Sequence, residues 1–91
     1  MYRKEMVIQS QGLSVEEIHV SRTLDVRGQV CPYPSLETVR ALAPLKTGEV
    51  LEVLTDNEIS ALDSIPTVSR RRSLPYLVLK DEGYWRVYVK K

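Results

Sequence analysis

The chain has ninety-one residues, of which 43% are hydrophobic and 27% charged, with 4 Gly and 5 Pro; this composition excludes a disordered or collagen-like chain. Two half-length domains would each fall near the roughly 40-residue size at which crosslinks or metals are normally needed, so one domain is expected. A single cysteine excludes an intramolecular disulfide framework, and Cys31 with the one distant histidine, His19, cannot complete a closed four-ligand zinc site within a monomer.

The net charge of +1 is unevenly spread: residues 1–69 carry 6 basic and 10 acidic groups, and residues 70–91 carry 7 and 2. The Arg70-Arg71-Arg72 run reads first as a solvated helix end, where cations complement the negative end of the dipole. Its second reading is a contact for an acidic partner or nucleic acid. After the basic Met1-Tyr2-Arg3-Lys4 only Met6-Val7-Ile8 follows as an apolar stretch, too short for an export leader. Nothing approaches the roughly 18 apolar residues of a spanning helix, so no membrane span and a cytoplasmic protein with a reduced thiol are expected.

In chain order, residues 1–17 show no periodicity and read as an N-terminal extension to a domain over 18–91. Ile18, Val20, Leu24 and Val26 recur at even spacing and predict a strand over about 18–27 that Gly28 ends. Cys31-Pro32-Tyr33-Pro34 then precedes Leu36, Val39, Leu42 and Ala43, whose spacing of three and four predicts a helix over about 33–43, stopped by Pro44. Val50-Leu51-Glu52-Val53-Leu54 reads as an interior strand. Ser60 with Asp63 is expected to cap a second helix carrying Leu62, Ile65 and Val68. Pro66 inside that helix must kink it or strand one carbonyl. Tyr76–Leu79 and Tyr84–Val89 flank Lys80-Asp81-Glu82-Gly83 as a hairpin, with Trp85, Val87 and Val89 on the core face and Tyr84, Arg86 and Tyr88 on the other. The expected fold class is α+β: a two-layer α/β sandwich, βαβαββ, whose mixed four-stranded sheet carries both helices on one face, as right-handed crossovers require.

Cys31 stands where the coil meets the first helix, and Pro32 suits the first helical position because its missing N–H would have no partner there. Free amide donors and the positive dipole end favour a thiolate at such a place, lowering a cysteine from about 8.5 toward roughly 3.5–7.5 in pKa. Arg27, four residues upstream, is a second candidate source of positive charge. The competing reading is a small buried hydrophobe, the ordinary fate of a free cysteine. A thiol hydrolase would need a base, and the sole imidazole is His19; with no orienting Asn/Asp and no Gly-rich oxyanion turn, that chemistry is not expected.

Leu24-Asp25-Val26-Arg27-Gly28-Gln29-Val30-Cys31-Pro32-Tyr33-Pro34 resembles the TusA (SirA-like) family of sulfur carriers, and its C-P-Y-P form is similar to the YedF-like branch. The likeness spans roughly residues 22–91, through Lys46-Thr47-Gly48-Glu49-Val50-Leu51-Glu52-Val53, Thr55-Asp56, Ile65-Pro66 and the hairpin. It implies a fold similar to the C-terminal domain of translation initiation factor 3. It also implies an active Cys31, with Pro32 and Pro34 completing the C-P-x-P motif, Asp25 and Gly28 matching the preceding turn, and Arg27 and Tyr33 beside it. The implied activity is a sulfurtransferase-like relay: Cys31 takes sulfane sulfur as a persulfide from a donor protein, a cysteine desulfurase or rhodanese-like enzyme, and passes it to an acceptor protein, with no metal or organic cofactor. Two departures stand out: Asn57-Glu58-Ile59 replaces an Asp-Pro type turn, and Arg72-Ser73-Leu74 replaces the usual glycine after the second helix.

Two other readings compete. A single-stranded RNA-binding module would stack bases on Tyr84 and Tyr88 and hold phosphates with Arg86 and Arg70 to Arg72. The same tyrosines are explained by a sheet face covered by residues 1–17 or buried in a dimer, and a nucleic-acid partner is the lesser expectation. A regulatory interaction domain would use no sulfur chemistry at all.

Overall fold

The structure, a computed structural model, describes residues 7–14, 16, 18–30 and 33–91. Its strands are β1 (Val7–Gln11), β2 (Val20–Asp25), β3 (Val50–Thr55), β4 (Tyr76–Lys80) and β5 (Trp85–Lys90), and its helices are α1 (Tyr33–Leu42) and α2 (Ile65–Arg71). They form one mixed sheet in the order β1-β4-β5-β3-β2. The Val50–Thr55 run, almost continuously apolar, lies in the interior between β5, antiparallel, and β2, parallel. That is where a strand buried on both faces belongs.

The helix-facing core gathers Leu51, Val53, Val78, Val87 and Val89 from the sheet with Ala41 and Leu42 of α1 and Ala61 and Ile65 of the second helix. Both helices therefore cover one face, as the crossover rule requires. Val87 and Val89 are wholly buried and Trp85 packs against the same cluster, which matches the expected alternation of β5.

The sheet has five strands where four were expected. Val7–Gln11 shows no alternation of apolar and polar residues, so its pairing was not readable from pattern; what holds it is the free backbone edge of β4, which it joins antiparallel. The register shifts between Val7 and Gln9, and a bulge of this kind re-aims side chains. Val7 thereby packs on the face opposite the helices, while Gln9 reaches the second helix.

That second face carries Val50, Leu77, Leu79 and Tyr88, covered by Leu13 with Val7 and Ile18 against them. Tyr88 is 0% exposed and donates its hydroxyl proton to Glu52 Oε2 at 2.7 Å. An open aromatic face for stacking bases is thus absent at Tyr88, because the segment before β2 folds over it.

Pro66 has the consequence its chemistry demands. It cannot donate to Leu62 O, four residues earlier, as a helical residue would. The backbone widens into a π-helical turn over Ser60–Ser64, with Ile65 N donating to Ser60 O, and Gln9 Nε2 donates to the stranded Leu62 carbonyl at 2.9 Å. The helix start also differs from expectation. Ser60 is not the cap: Asn57 Oδ1 accepts from Ser60 N at 2.9 Å, and Ser60 itself is buried one turn in. Asparagine ranks with serine as a cap, and here it sits three residues ahead of the amide it accepts from.

Candidate functional site

Cys31 and Pro32 lie outside the described residues; the structure defines the frame on either side of them. Strands β2 and β3 run parallel and end together, Asp25 opposite Leu54, and Val26 N donates to Leu54 O at 2.9 Å, carrying the pairing one residue past β2. The chain then turns. Gly28 has φ +89° with open space around it, a conformation that costs a residue with a Cβ about 1–2 kcal/mol. Its N–H donates to Asp56 Oδ1 at 2.9 Å, and Gln29 N donates to Val26 O at 3.1 Å. The turn is thus pinned to the residue that follows β3.

Asp25 and Arg27 form a closed pair inside this turn. Arg27 N and Nε donate to Asp25 Oδ1 at 3.1 and 3.0 Å, and Arg27 Nη2 donates to Oδ2 at 2.8 Å. The guanidinium hydrogen bond, with the backbone amide next, holds the Asp25 carboxyl below the usual carboxylate range, and the carboxylate in turn raises Arg27. The guanidinium also lies over the Tyr84 ring, 5.0 Å from its centroid. The positive charge that the sequence offered for a thiolate is therefore already matched by Asp25.

Beyond the turn, Val30 and Tyr33 flank Cys31-Pro32, and Tyr33 N donates to Val30 O at 3.1 Å. Both flanking side chains face solvent, at 60% and 59% exposure. Leu36, one turn into α1, and Ile59, at the start of the second helix, are exposed as well. Pro34 is buried, and Thr38 donates to its carbonyl at 2.7 Å, which fixes the first turn of α1. Residues 30–32 are Val-Cys-Pro, none of which carries the oxygen side chain that usually caps a helix start.

The hairpin reaches the same end of the sheet. Trp85 pairs with both Thr55 and Lys80, and Lys80 Nζ lies 3.8 Å from the Trp85 ring centroid. Arg86 donates to Asp81 Oδ2 at 2.7 Å, to Glu52 Oε2 at 3.1 Å and to Tyr84 Oη at 2.7 Å. Its bond holds the Asp81 carboxyl low. Thr23 completes the set by donating to Glu52 Oε1 at 3.0 Å. Glu52, the one charged residue of the interior strand, is thereby satisfied on the face away from the helices.

Of the residues singled out from sequence, Asp25, Arg27 and Gly28 share one turn, and Tyr33 and Pro34 open α1. His19 is exposed and precedes β2, so it sits at the opposite end of that strand from the turn, about 20 Å away at 3.3 Å per residue. Sequence reasoning did not single out Asp56 as a site residue. Its signal was a carboxylate directly after a buried strand, but the partner amide is 28 residues upstream.

Comparison with known proteins agrees with this frame. The model of the family described as sulfurtransferase TusA matches residues 22–91. A candidate sulfur carrier protein of Thermotoga maritima is 42% identical over 73 residues, covering 78% of this chain and 91% of the relative. The candidate sulfur carrier YedF of Escherichia coli is 38% identical over 60 residues, covering 66% and 77%. Among solved structures, a SirA-like protein of Desulfitobacterium hafniense superposes with a TM-score of 0.69 at 35% identity, over 76% of this chain and 95% of that one.

Proposed function

The chain belongs to the TusA sulfurtransferase family, and from that footing we propose that it carries sulfane sulfur as a persulfide on Cys31. The observation that carries the reading is the helix start: in the sequence Cys31-Pro32 falls between an anchored strand end and α1, exposed residues flank it, and Val30, Cys31 and Pro32 carry no oxygen side chain of the kind that usually takes a helix's first amides. Those amides and the dipole favour the anion, which is the nucleophilic form of the thiol.

The exchange is balanced without any cofactor. The Cys31 thiolate attacks the outer sulfur of a donor persulfide; a new S–S bond forms on Cys31 and the donor leaves as its thiolate. An acceptor nucleophile then attacks the outer sulfur of Cys31-S-SH, and Cys31 departs as thiolate again. Charge and electrons return to their starting state, and one sulfur atom has moved. A lone cysteine suits this role, because no second thiol in the chain can close on the persulfide as an intramolecular disulfide. Donors of desulfurase or rhodanese type would meet the apolar rim of Val30, Tyr33, Leu36 and Ile59.

Reduced protein incubated with a cysteine desulfurase and cysteine, or with a rhodanese and thiosulfate, is expected to gain one sulfur atom by intact mass, reversibly with dithiothreitol. The Cys31→Ser variant is expected to gain none while keeping its circular dichroism spectrum. Absence of any gain with both donors contradicts the reading.

A further inference from the structure

At the opposite end of α2 lies a feature that sulfur transfer does not use. Arg70, in the last turn, donates from Nη1 to Tyr76 Oη at 2.8 Å and from Nη2 to Thr67 Oγ1 at 3.2 Å. Its guanidinium lies 5.9 Å from the centroid of the Tyr76 ring, and Tyr76 is nearly fully buried. The arginine is therefore held in place by two neutral oxygens, and neither cancels its charge. Among the described residues no ion pair reaches Arg70, Arg71 or Arg72. By contrast, Arg27, Arg40 and Arg86 each have a carboxylate partner.

Arg70 faces a recess of about 320 Å³ that it lines together with Gln11, Gly12, Ser73, Leu74 and Pro75. The N-terminal segment builds one wall: β1 pairs with β4 up to Gln11 opposite Tyr76, and Gly12 comes so close to Pro75 that a Cβ there would lie 3.3 Å from the proline Cβ. Ser73 supplies a hydroxyl from the left-handed position at φ +58°, where the chain leaves the helix. A positioned fork of donors, an adjacent hydroxyl and amide side chain, and two further unpaired cations along the chain are the chemistry that recognises a phosphate group.

We propose that this recess binds a phosphate group, with Arg70 as the fixed donor and Ser73 and Gln11 as supporting contacts. The phosphate belongs either to a small phosphate ester or to a nucleic-acid strand whose neighbouring phosphates meet Arg71 and Arg72. The wall contributed by Gln11 and Gly12 lies outside the family-matched residues 22–91, and none of the lining residues belongs to the turn before α1.

The test is a titration of the full chain, followed by NMR of backbone amides and arginine Nε–H groups, with inorganic phosphate in one arm and a short single-stranded RNA in the other. Saturable shifts confined to Gly12, Arg70 and Ser73 are expected with phosphate, weakened about tenfold in Arg70→Gln, since a charge-assisted hydrogen bond contributes that much. Arg70→Lys keeps the charge but loses the fork and is expected to weaken binding too, while Arg40→Gln is expected to leave it unchanged. RNA that binds more tightly than phosphate, with a steep loss on adding salt, identifies the strand as the source; equal affinity identifies the small ester. Absence of saturable shifts with either ligand overturns the proposal. So does an equal loss in Arg40→Gln, which would mean that only net charge is being read.

Discussion

Two helices start at the same end of the sheet, and they start differently. The second is closed by its own sequence: Asn57 Oδ1 accepts from Ser60 N, and Asn57 N donates to Thr55 Oγ1 at 3.1 Å. The first follows Val30-Cys31-Pro32, where the only side-chain heteroatom is sulfur. One helix start uses an oxygen to quiet its amides; under the proposed function, the other is where the Cys31 sulfur acts. The turn that leads to the first helix is anchored through Gly28 to Asp56 and through Asp25 to Arg27.

That contrast can be broken in either half. The largest effect is expected at Gly28, whose φ of +89° makes Gly28→Ala cost about 1–2 kcal/mol by urea denaturation. Because the strain falls on the turn itself, sulfur loading is expected to slow as well. Asn57→Ala is expected to remove about 1 kcal/mol, the usual worth of a cap, with the loading rate unchanged; a matching fall in loading would show that the two helix starts are not separate in function. The smallest effect concerns acid. The Asp25 and Asp81 carboxyls are held low by Arg27 and Arg86. Each therefore contributes stability that is present above the unfolded carboxylate pKa of about 3.9 and lost as pH falls through the lower folded value. Thermal melts are expected to be flat from neutrality down to about pH 5 and to drop below about pH 4, and Arg86→Gln is expected to shrink that drop.

Sequence pattern revealed most of this fold because most of its elements announce themselves by period. The even spacing through Val26, the three-and-four spacing from Leu36 to Ala43, and the apolar run at Val50 each had one reading. β1 was hidden, since an edge strand held by a neighbour's backbone needs no alternation of its own. The cap was misplaced from Asn57 to Ser60 because both residue types cap helices, and only the hydrogen-bond geometry separates them. Pro66 was legible as a problem but not in its solution, which required a glutamine 57 residues earlier to meet the Leu62 carbonyl. At the site, the start of α1 at Tyr33-Pro34 was legible from the helical spacing. The pairing of Arg27 with Asp25 was not, since charge alone did not show which carboxylate would hold the guanidinium. The departure at Arg72-Ser73-Leu74 also acquires a physical form, since Ser73 takes up the left-handed conformation itself, at φ +58°.

The most direct measurement is the pH dependence of Cys31 alkylation by iodoacetamide in the folded, reduced protein. A thiolate favoured by the N-terminal end of α1 should react with an apparent pKa well below about 8.5, in the range of roughly 3.5–7.5 seen for cysteines at helix starts. An apparent pKa at or above about 8.5, or a thiol that resists alkylation until the protein unfolds, would contradict it.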